Sequence, residues 1–327
     1  MTAECENILP LRLRKFKDDE FVTVSICTIT FNHAEFIGQA IESFLDQQAN
    51  FKIEIVIYDD DSSDGTAAIV REYAEAYPSI IKPILSERNL FSLGVNPYYA
   101  FVFPVARGEF IAICDGDDYW TEPGKLAKQV EVLRSDPSVA ITYGRAFGDL
   151  GDGKTIEFSA ASNRDLSPME LKTAPAINSA TACFRNPSLN KPPQFLRHSP
   201  IGDQTVWAIA GELGRGRYIE DLAPIGYRMR SKGVFSLETN KNKFYMSLIA
   251  KTCIAGYHGN TGDTRAEHRV LSQTVSALTS RLGLGRVIFL ALRNGIGQLL
   301  AQVQKVCPFF GFVIERFGFS AVPRRPR

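Results

Sequence analysis

No stretch of this sequence approaches the roughly 20 consecutive apolar residues needed to cross a bilayer. The longest run in its C-terminal part, Val287 to Leu292, stops at Arg293. The first residues mix Glu4, Glu6, Arg12, Arg14, Lys15 and Asp18 with short apolar runs, which is not the pattern of a secretory signal. Charge of one sign is also missing: 37 Lys plus Arg stand against 36 Asp plus Glu, so no global excess argues for nucleic acid or any other charged partner. Cysteine is sparse and scattered. Cys5, Cys27, Cys114, Cys183, Cys253 and Cys307 form no pair at metal-ligand spacing, which excludes a zinc site and a disulfide framework and points to a reducing, cytoplasmic compartment. There are no internal repeats. Thr28, Ile29, Thr30, Phe31 and Asn32 end the first strand where a dinucleotide fold would carry a Gly-rich fingerprint, and no phosphate-binding Lys loop follows.

What is present is enough apolar residue, 45% of 327, for a substantial core of one large or two ordinary domains. After a polar, loose arm over 1–20, strands are expected at Phe21–Ile29, Ile53–Ile57, Ile80–Leu85, Phe110–Cys114 and Val139–Tyr143. Helices alternate with them. Phe36, Ile37, Ala40, Ile41, Phe44 and Leu45 make one apolar face behind Asn32 and Glu35, which resemble a capping box. Ile69, Val70, Tyr73 and Tyr77 mark a second helix, Pro97–Val105 a short one, and Leu126, Val130 and Leu133 another that begins near Pro123. This alternation predicts a doubly wound α/β unit over 21–145 with a mostly parallel sheet flanked by helices. The Asp- and Gly-rich Gly148–Gly153 reads as a loop at the boundary where a second half, over 146–235, begins. That half holds a short helix from Ser167, a strand over Ile177–Phe184, a helix from Gly202 and short strands at Tyr218–Ile219 and Ile225–Tyr227. A helical extension follows over 236–327.

The acids carry the chemistry. Phe110, Ile111, Ala112, Ile113 and Cys114 run straight into Asp115, Gly116, Asp117 and Asp118, and the strand at Ile53–Ile57 runs into Asp59, Asp60 and Asp61. Like charges so close require neutralisation, which a hard cation such as Mg2+ or Mn2+ supplies with oxygen ligands. Gly116 would leave room for a ligand near the backbone. A polar turn capping the next helix is the plainer alternative. Both clusters sit at strand ends, and in an open parallel sheet all carboxyl ends share one edge, where ligands bind. One pocket with a cation and acceptor carboxylates suits a nucleotide diphosphate.

Over its first 145 residues the chain resembles family 2 glycosyltransferases with the nucleotide-diphospho-sugar transferase fold called GT-A. The likeness rests on Val24–Asn32, the helix after it, Ile53–Thr66 and Gly108–Leu133. Asp117, Asp118, Tyr119, Trp120 and Thr121, followed by Pro123, Lys125, Leu126 and Gln129, resemble bacterial polysaccharide-assembly members. The resemblance implies donor contacts from Thr30 and Asn32, base contact by Asp60 supported by Asp59, Asp115 near the ribose and Asp117 as principal ligand of Mn2+ or Mg2+. Asp61 departs from the family, which carries a small residue there. Ile201, Gly202 and Asp203 followed by Trp207 resemble the base-bearing segment, so Asp203 is implied as the proton acceptor, a role compatible with capping a helix. Tyr227 to Gly233 resembles a further signature in which Arg230 replaces a His. Arg228 and Arg230 would assist at the diphosphate, Arg230 as a fixed charged fork that can neither ligate a metal nor titrate near neutral pH, and a solvated basic turn is the plainer alternative.

The expected activity is metal-dependent, inverting transfer of a sugar from a nucleotide diphosphate to a glycan or lipid-linked glycan hydroxyl in cell-surface polysaccharide synthesis. Nucleotidyl transfer and a non-catalytic Mg2+- or nucleotide-binding module are the alternatives. Among other residues, Trp120 reads as packing and His198 as a surface-loop residue. From Arg281 to Arg327, eight basic residues and one acid, Glu315, interleave with apolar and aromatic ones. Peripheral attachment to the inner membrane face suits that pattern, and so does a helix packed on the catalytic domain or in a dimer.

Overall fold

Strand periodicity governs the architecture. In a computed structural model, which describes residues 8–17, 19–158, 162–188, 192–229 and 239–282, successive strand residues enter opposite apolar layers. In β1 (Val22–Thr30), β2 (Lys52–Asp59) and β4 (Phe110–Ile113), the side chains of Val24, Ile26, Ile53, Ile55, Ile57, Phe110 and Ala112 join one core. Cys27, Val56, Tyr58, Ile111 and Ile113 join the other. Helices α1 (Ile37–Leu45), α2 (Thr66–Ala76) and α3 (Lys125–Ser135) cover the first face through Ile41, Phe44, Val70, Leu126 and Val130. The second is covered by a π-helical turn at Tyr98–Val102, α4 (Pro168–Lys172), α5 (Gly202–Leu213) and α6 (Asn240–Thr261). Burial on both sides is why these strands are nearly continuous apolar runs.

The main sheet has the order β3-β2-β1-β4-β8-β5-β9, with β3 Ile81–Leu85, β5 Val139–Tyr143, β8 Cys183–Arg185 and β9 Arg215–Tyr218. All neighbours are parallel except around β8, which runs antiparallel between β4 and β5. A strand from the second half thus completes the sheet of the first. A smaller sheet, β10-β6-β7, joins Ile225–Arg228 to a hairpin of Ala146–Gly151 and Lys154–Glu157. Helix α7 (Thr264–Leu282) packs back on α6, Leu278 meeting Leu248. Arg281 lies 4.6 Å from the centre of the Phe244 ring. The rest of the basic tail is outside the described residues.

Several local expectations change. Gly148–Gly153 is not a plain loop: positive φ at Gly151, Asp152 and Gly153 makes it the end of a strand and the turn of a hairpin. Ile177–Phe184 is mostly a cap and a 3-10 turn, because the Asn178 side chain accepts from Ala180 N at 3.1 Å, and only Cys183–Arg185 is strand. Asn32 and Glu35 form no capping box. Asn32 takes a left-handed conformation (φ 53) and α1 starts only after Phe36. Its side-chain oxygen instead accepts from Ser63 N at 2.9 Å, a contact from another loop that outcompetes the local one.

Residues 8–17 are not a loose arm either. Leu11 is buried in the α1 side of the core, its N–H donates to Gln47 O at 2.8 Å, and Arg12 pairs with Glu42 and Asp46. Leu11→Ala is therefore expected to lower stability by about 2–3 kcal/mol through lost burial and a residual cavity. A urea midpoint unchanged by the substitution would mean the arm does not dock in solution.

Candidate active site

Because β1 lies between β2 and β4, with Thr30 opposite Asp59 and Cys27 opposite Ile113, the two acidic strand ends are brought to one edge. They open on a cleft of about 710 Å³ whose walls include Thr30, Asp60, Asp115, Asp117, Asp118, Asp203 and Arg228. Asp59 and Asn32 are not among its lining side chains. Both carboxylate oxygens of Asp59 are used by Ser62, accepting from its N–H at 3.0 Å and its hydroxyl at 2.6 Å. Ser62 Oγ in turn accepts from Asn32 N at 2.8 Å, so the two residues brace the loops after β1 and β2 against each other. Asp61 is exposed. Arg230 lies outside the described residues.

Asp60 is buried and already accepts three hydrogen bonds: from Tyr58 Oη at 3.0 Å, Leu90 N at 2.8 Å and Phe91 N at 3.0 Å. A carboxylate has about four lone-pair sites, so little acceptor capacity is left for a ligand. Gly116 does not open the backbone to a ligand as expected. A Cβ there would lie 2.7 Å from Thr30 Oγ1 and 2.9 Å from Ile37 Cδ1, so the missing side chain is replaced by protein packing. Thr30 itself is buried, and its hydroxyl has no hydrogen-bond partner among the described residues.

The acids repel one another in a low-dielectric place. Burial, then the charge of Asp117, raises the Asp115 carboxyl to about 7, although Tyr98 Oη donates to it at 2.6 Å. Burial and the neighbouring Asp117 and Asp115 push Asp118 well up, even with Arg228 N donating to it at 2.9 Å. Across the cleft, burial raises Asp203 to about 6, partly offset by the hydrogen bond that Gln204 N donates at 2.7 Å. Asp203 stands in the first turn of α5 and is not its N-cap, which is Ile201.

Sequence reasoning missed three participants. His33 Nε2 lies 3.7 Å from Asp117 Oδ2, Tyr98 holds Asp115, and Gln39 accepts from the Arg228 guanidinium. His33, next to the end of the first strand, was the one with a usable signal. Arg228 also donates to Asp117 O and is sandwiched between the Phe36 and Tyr119 rings, 4.7 Å from each centre. Trp120 is packing, as expected, its Nε1 donating to Ala180 O at 2.8 Å.

Residues 25–189 match the family described as Glycosyl transferase family 2. The uncharacterized protein Rv1520 of Mycobacterium tuberculosis is 34% identical over 226 residues, 68% of this chain and 63% of that one. The chain thus spans less than two thirds of that relative's length. WfaP of Escherichia coli, named UDP-Glc:alpha-D-GlcNAc-diphosphoundecaprenol beta-1,3-glucosyltransferase, is 29% identical over 113 residues, 35% of this chain and 42% of that one. S. aureus TarS 1-349 in complex with UDP-GlcNAc superimposes with TM-score 0.54 at 18% identity, over 93% of this chain and 82% of that chain, a likeness of fold.

Asp115, Asp117 and Asp118 are chemically suited to a hard divalent cation, which would offset the charge repulsion that helps raise the proton affinity of Asp115 and Asp118. Asp115 and Asp203 bind protons more tightly folded than unfolded, where Asp titrates near 4. Their contribution to stability is therefore complete below pH ~4 and is lost as pH rises through about 6 and 7. The cation-free protein is expected to lose Tm between pH 5 and 8, and Mn2+ to restore more of it at pH 8 than at pH 5. Asp117→Ala should flatten both effects; an equal Mn2+ response in that variant would rule out this site.

Proposed function

Because the chain belongs to glycosyl transferase family 2, we propose that it moves a sugar, with inversion, from a nucleotide-diphosphate donor to a hydroxyl of a glycan or lipid-linked glycan. The observation that carries this reading is one cleft lined both by the acids of two strand ends and, from the second half, by Asp203. The names of relatives support the chemistry: TarS was crystallised with UDP-GlcNAc, and WfaP is named for a UDP-glucose donor and a lipid-diphosphate-linked acceptor.

Asp117 is the principal metal ligand in this proposal, with Asp115 and Asp118 beside it. A bound Mn2+ or Mg2+ would offset the charge that develops on the departing diphosphate. The acceptor hydroxyl attacks the anomeric carbon on the face opposite that diphosphate, and the carbon–oxygen bond to phosphate breaks with its electron pair leaving on the phosphate. The hydroxyl proton passes to Asp203, whose raised proton affinity suits a base that works near neutrality. Arg228 acts on the acids through Asp117 O and its own backbone N–H. Arg230 is assigned to the diphosphate. Among the described residues no helix is long and apolar enough to cross a membrane, and peripheral contact through 281–327 belongs to the proposal as the route to a lipid-linked acceptor.

Release of UDP or GDP from a panel of nucleotide sugars with Mn2+ tests the reading. Asp117→Ala should abolish release, and Asp203→Asn should lower it about 10²–10⁴-fold. In the unmodified protein the rate should climb as pH passes about 6, where Asp203 ionises. Undiminished release by Asp203→Asn would remove it from the base role; metal-independent release unaffected by Asp117→Ala would sink the mechanism as a whole.

A further inference from the structure

The segment 96–99 joins the two sides of the cleft. Toward the acids, Tyr98 Oη donates to Asp115 at 2.6 Å; toward α5, the Tyr99 hydroxyl and Thr205 Oγ1 are 2.7 Å apart. Asn96, which opens the segment and is 5% exposed, has both ends of its amide committed. Its Oδ1 accepts from Tyr98 N at 3.0 Å and its Nδ2 donates to Ser199 O at 2.8 Å. Its own N–H donates to Arg197 O at 2.6 Å. The amide also lies flush against the start of α5. A Cβ on Gly202 would sit 2.6 Å from Asn96 Nδ2, and an amide held by two hydrogen bonds cannot swing aside freely. No side chain caps α5, so the turn leading into Asp203 is held by these contacts together with the hydrogen bonds that Ser199 Oγ donates to Ile201 O at 3.2 Å and Thr205 Oγ1 donates to Gly202 O at 2.7 Å. At the other end, the loop reaching Asn96 is anchored on Asp60 through Leu90 N and Phe91 N, at 2.8 and 3.0 Å.

We propose that Asn96 is a positioning residue that sets the Asp203 carboxylate at its working distance from the donor acids, with Gly202 the small residue its amide requires. The inference rests on the reading of Asp203 as the base. It makes the 88–96 loop, held by Asp60, a gauge between donor and base in addition to a wall of the cleft. Displacement of the turn by about an ångström is enough to cost up to about 100-fold in turnover without touching the donor.

The test compares Asn96→Ala, the near-isosteric Asn96→Asp, Gly202→Ala and the double variant Asn96→Ala/Gly202→Ala, with Asp203→Asn in parallel. UDP affinity with Mn2+ is expected to stay within about twofold of the parent, while nucleotide release falls about 10–100-fold. The acid limb of the pH profile should move to lower pH, because a displaced Asp203 regains water. The double variant should be no slower than the slower single one, since the methyl then enters the space the amide vacated. Hydrogen exchange read on the folded protein should speed up at least tenfold across 197–204 in Asn96→Asp and stay unchanged across 110–118, a result that needs no turnover and no acceptor. A tenfold loss of UDP affinity, multiplicative losses in the double variant, or unchanged exchange at 197–204 would overturn the inference. If Asp203→Asn loses activity and the Asn96 variants do not, only the positioning role fails. If Asp203→Asn is fully active, it is the base assignment that fails.

Discussion

Mutual repulsion of buried carboxylates is the constraint around which the molecule is arranged. Adjacent strands lie ~4.8 Å apart, so two acidic strand ends separated by one strand must meet within about 10 Å. Leaving such charges unpaired in a protein interior costs several kcal/mol per group. The surrounding structure answers with donors: Tyr98 on Asp115, the backbone of Arg228 on Asp118, and Tyr58, Leu90 and Phe91 on Asp60. What these donors leave unbalanced shows in the raised Asp115 and Asp118, and it is the charge that a bound cation would offset.

Arg228 shows how the second half of the chain serves the first. As a bare guanidinium near a phosphate it would be a mobile charge. Here its faces rest on Phe36 and Tyr119 and its N–H groups are aimed at Asp117 O and Gln39. A planar ion used this way is a strut as well as a charge. The β10 strand that bears it is tied to the acid turn by reciprocal hydrogen bonds between Tyr119 and Gly226, at 3.2 and 3.0 Å.

The antiparallel β8 has a similar consequence. By entering between β4 and β5 it makes the second half part of the same sheet, so the acids on β4 and the Asp203 helix are packed across a single core containing Ile113, Phe184 and Trp207. Relative motion of the two sides would have to break that core, whose interior is close-packed. Fine adjustment is left to the loops that run over the top of it.

Spacing within short windows determined a good deal. Alternating apolar runs and helical faces gave β1 to β5 and α1 to α3 near their observed bounds, because hydrophobic periodicity is local, and the strand–helix alternation implied a parallel sheet whose carboxyl ends, with Asp60, Asp115 and Asp117, share one edge. Tertiary structure decided what local pattern cannot contain. Arg228 and Gln39 are 189 positions apart, Asn96 and Ser199 are 103 apart, and Asn32 gave up a local cap for a partner 31 residues away. A side chain with several acceptors in reach takes the geometry that packing offers, and packing is known only once distant segments have met.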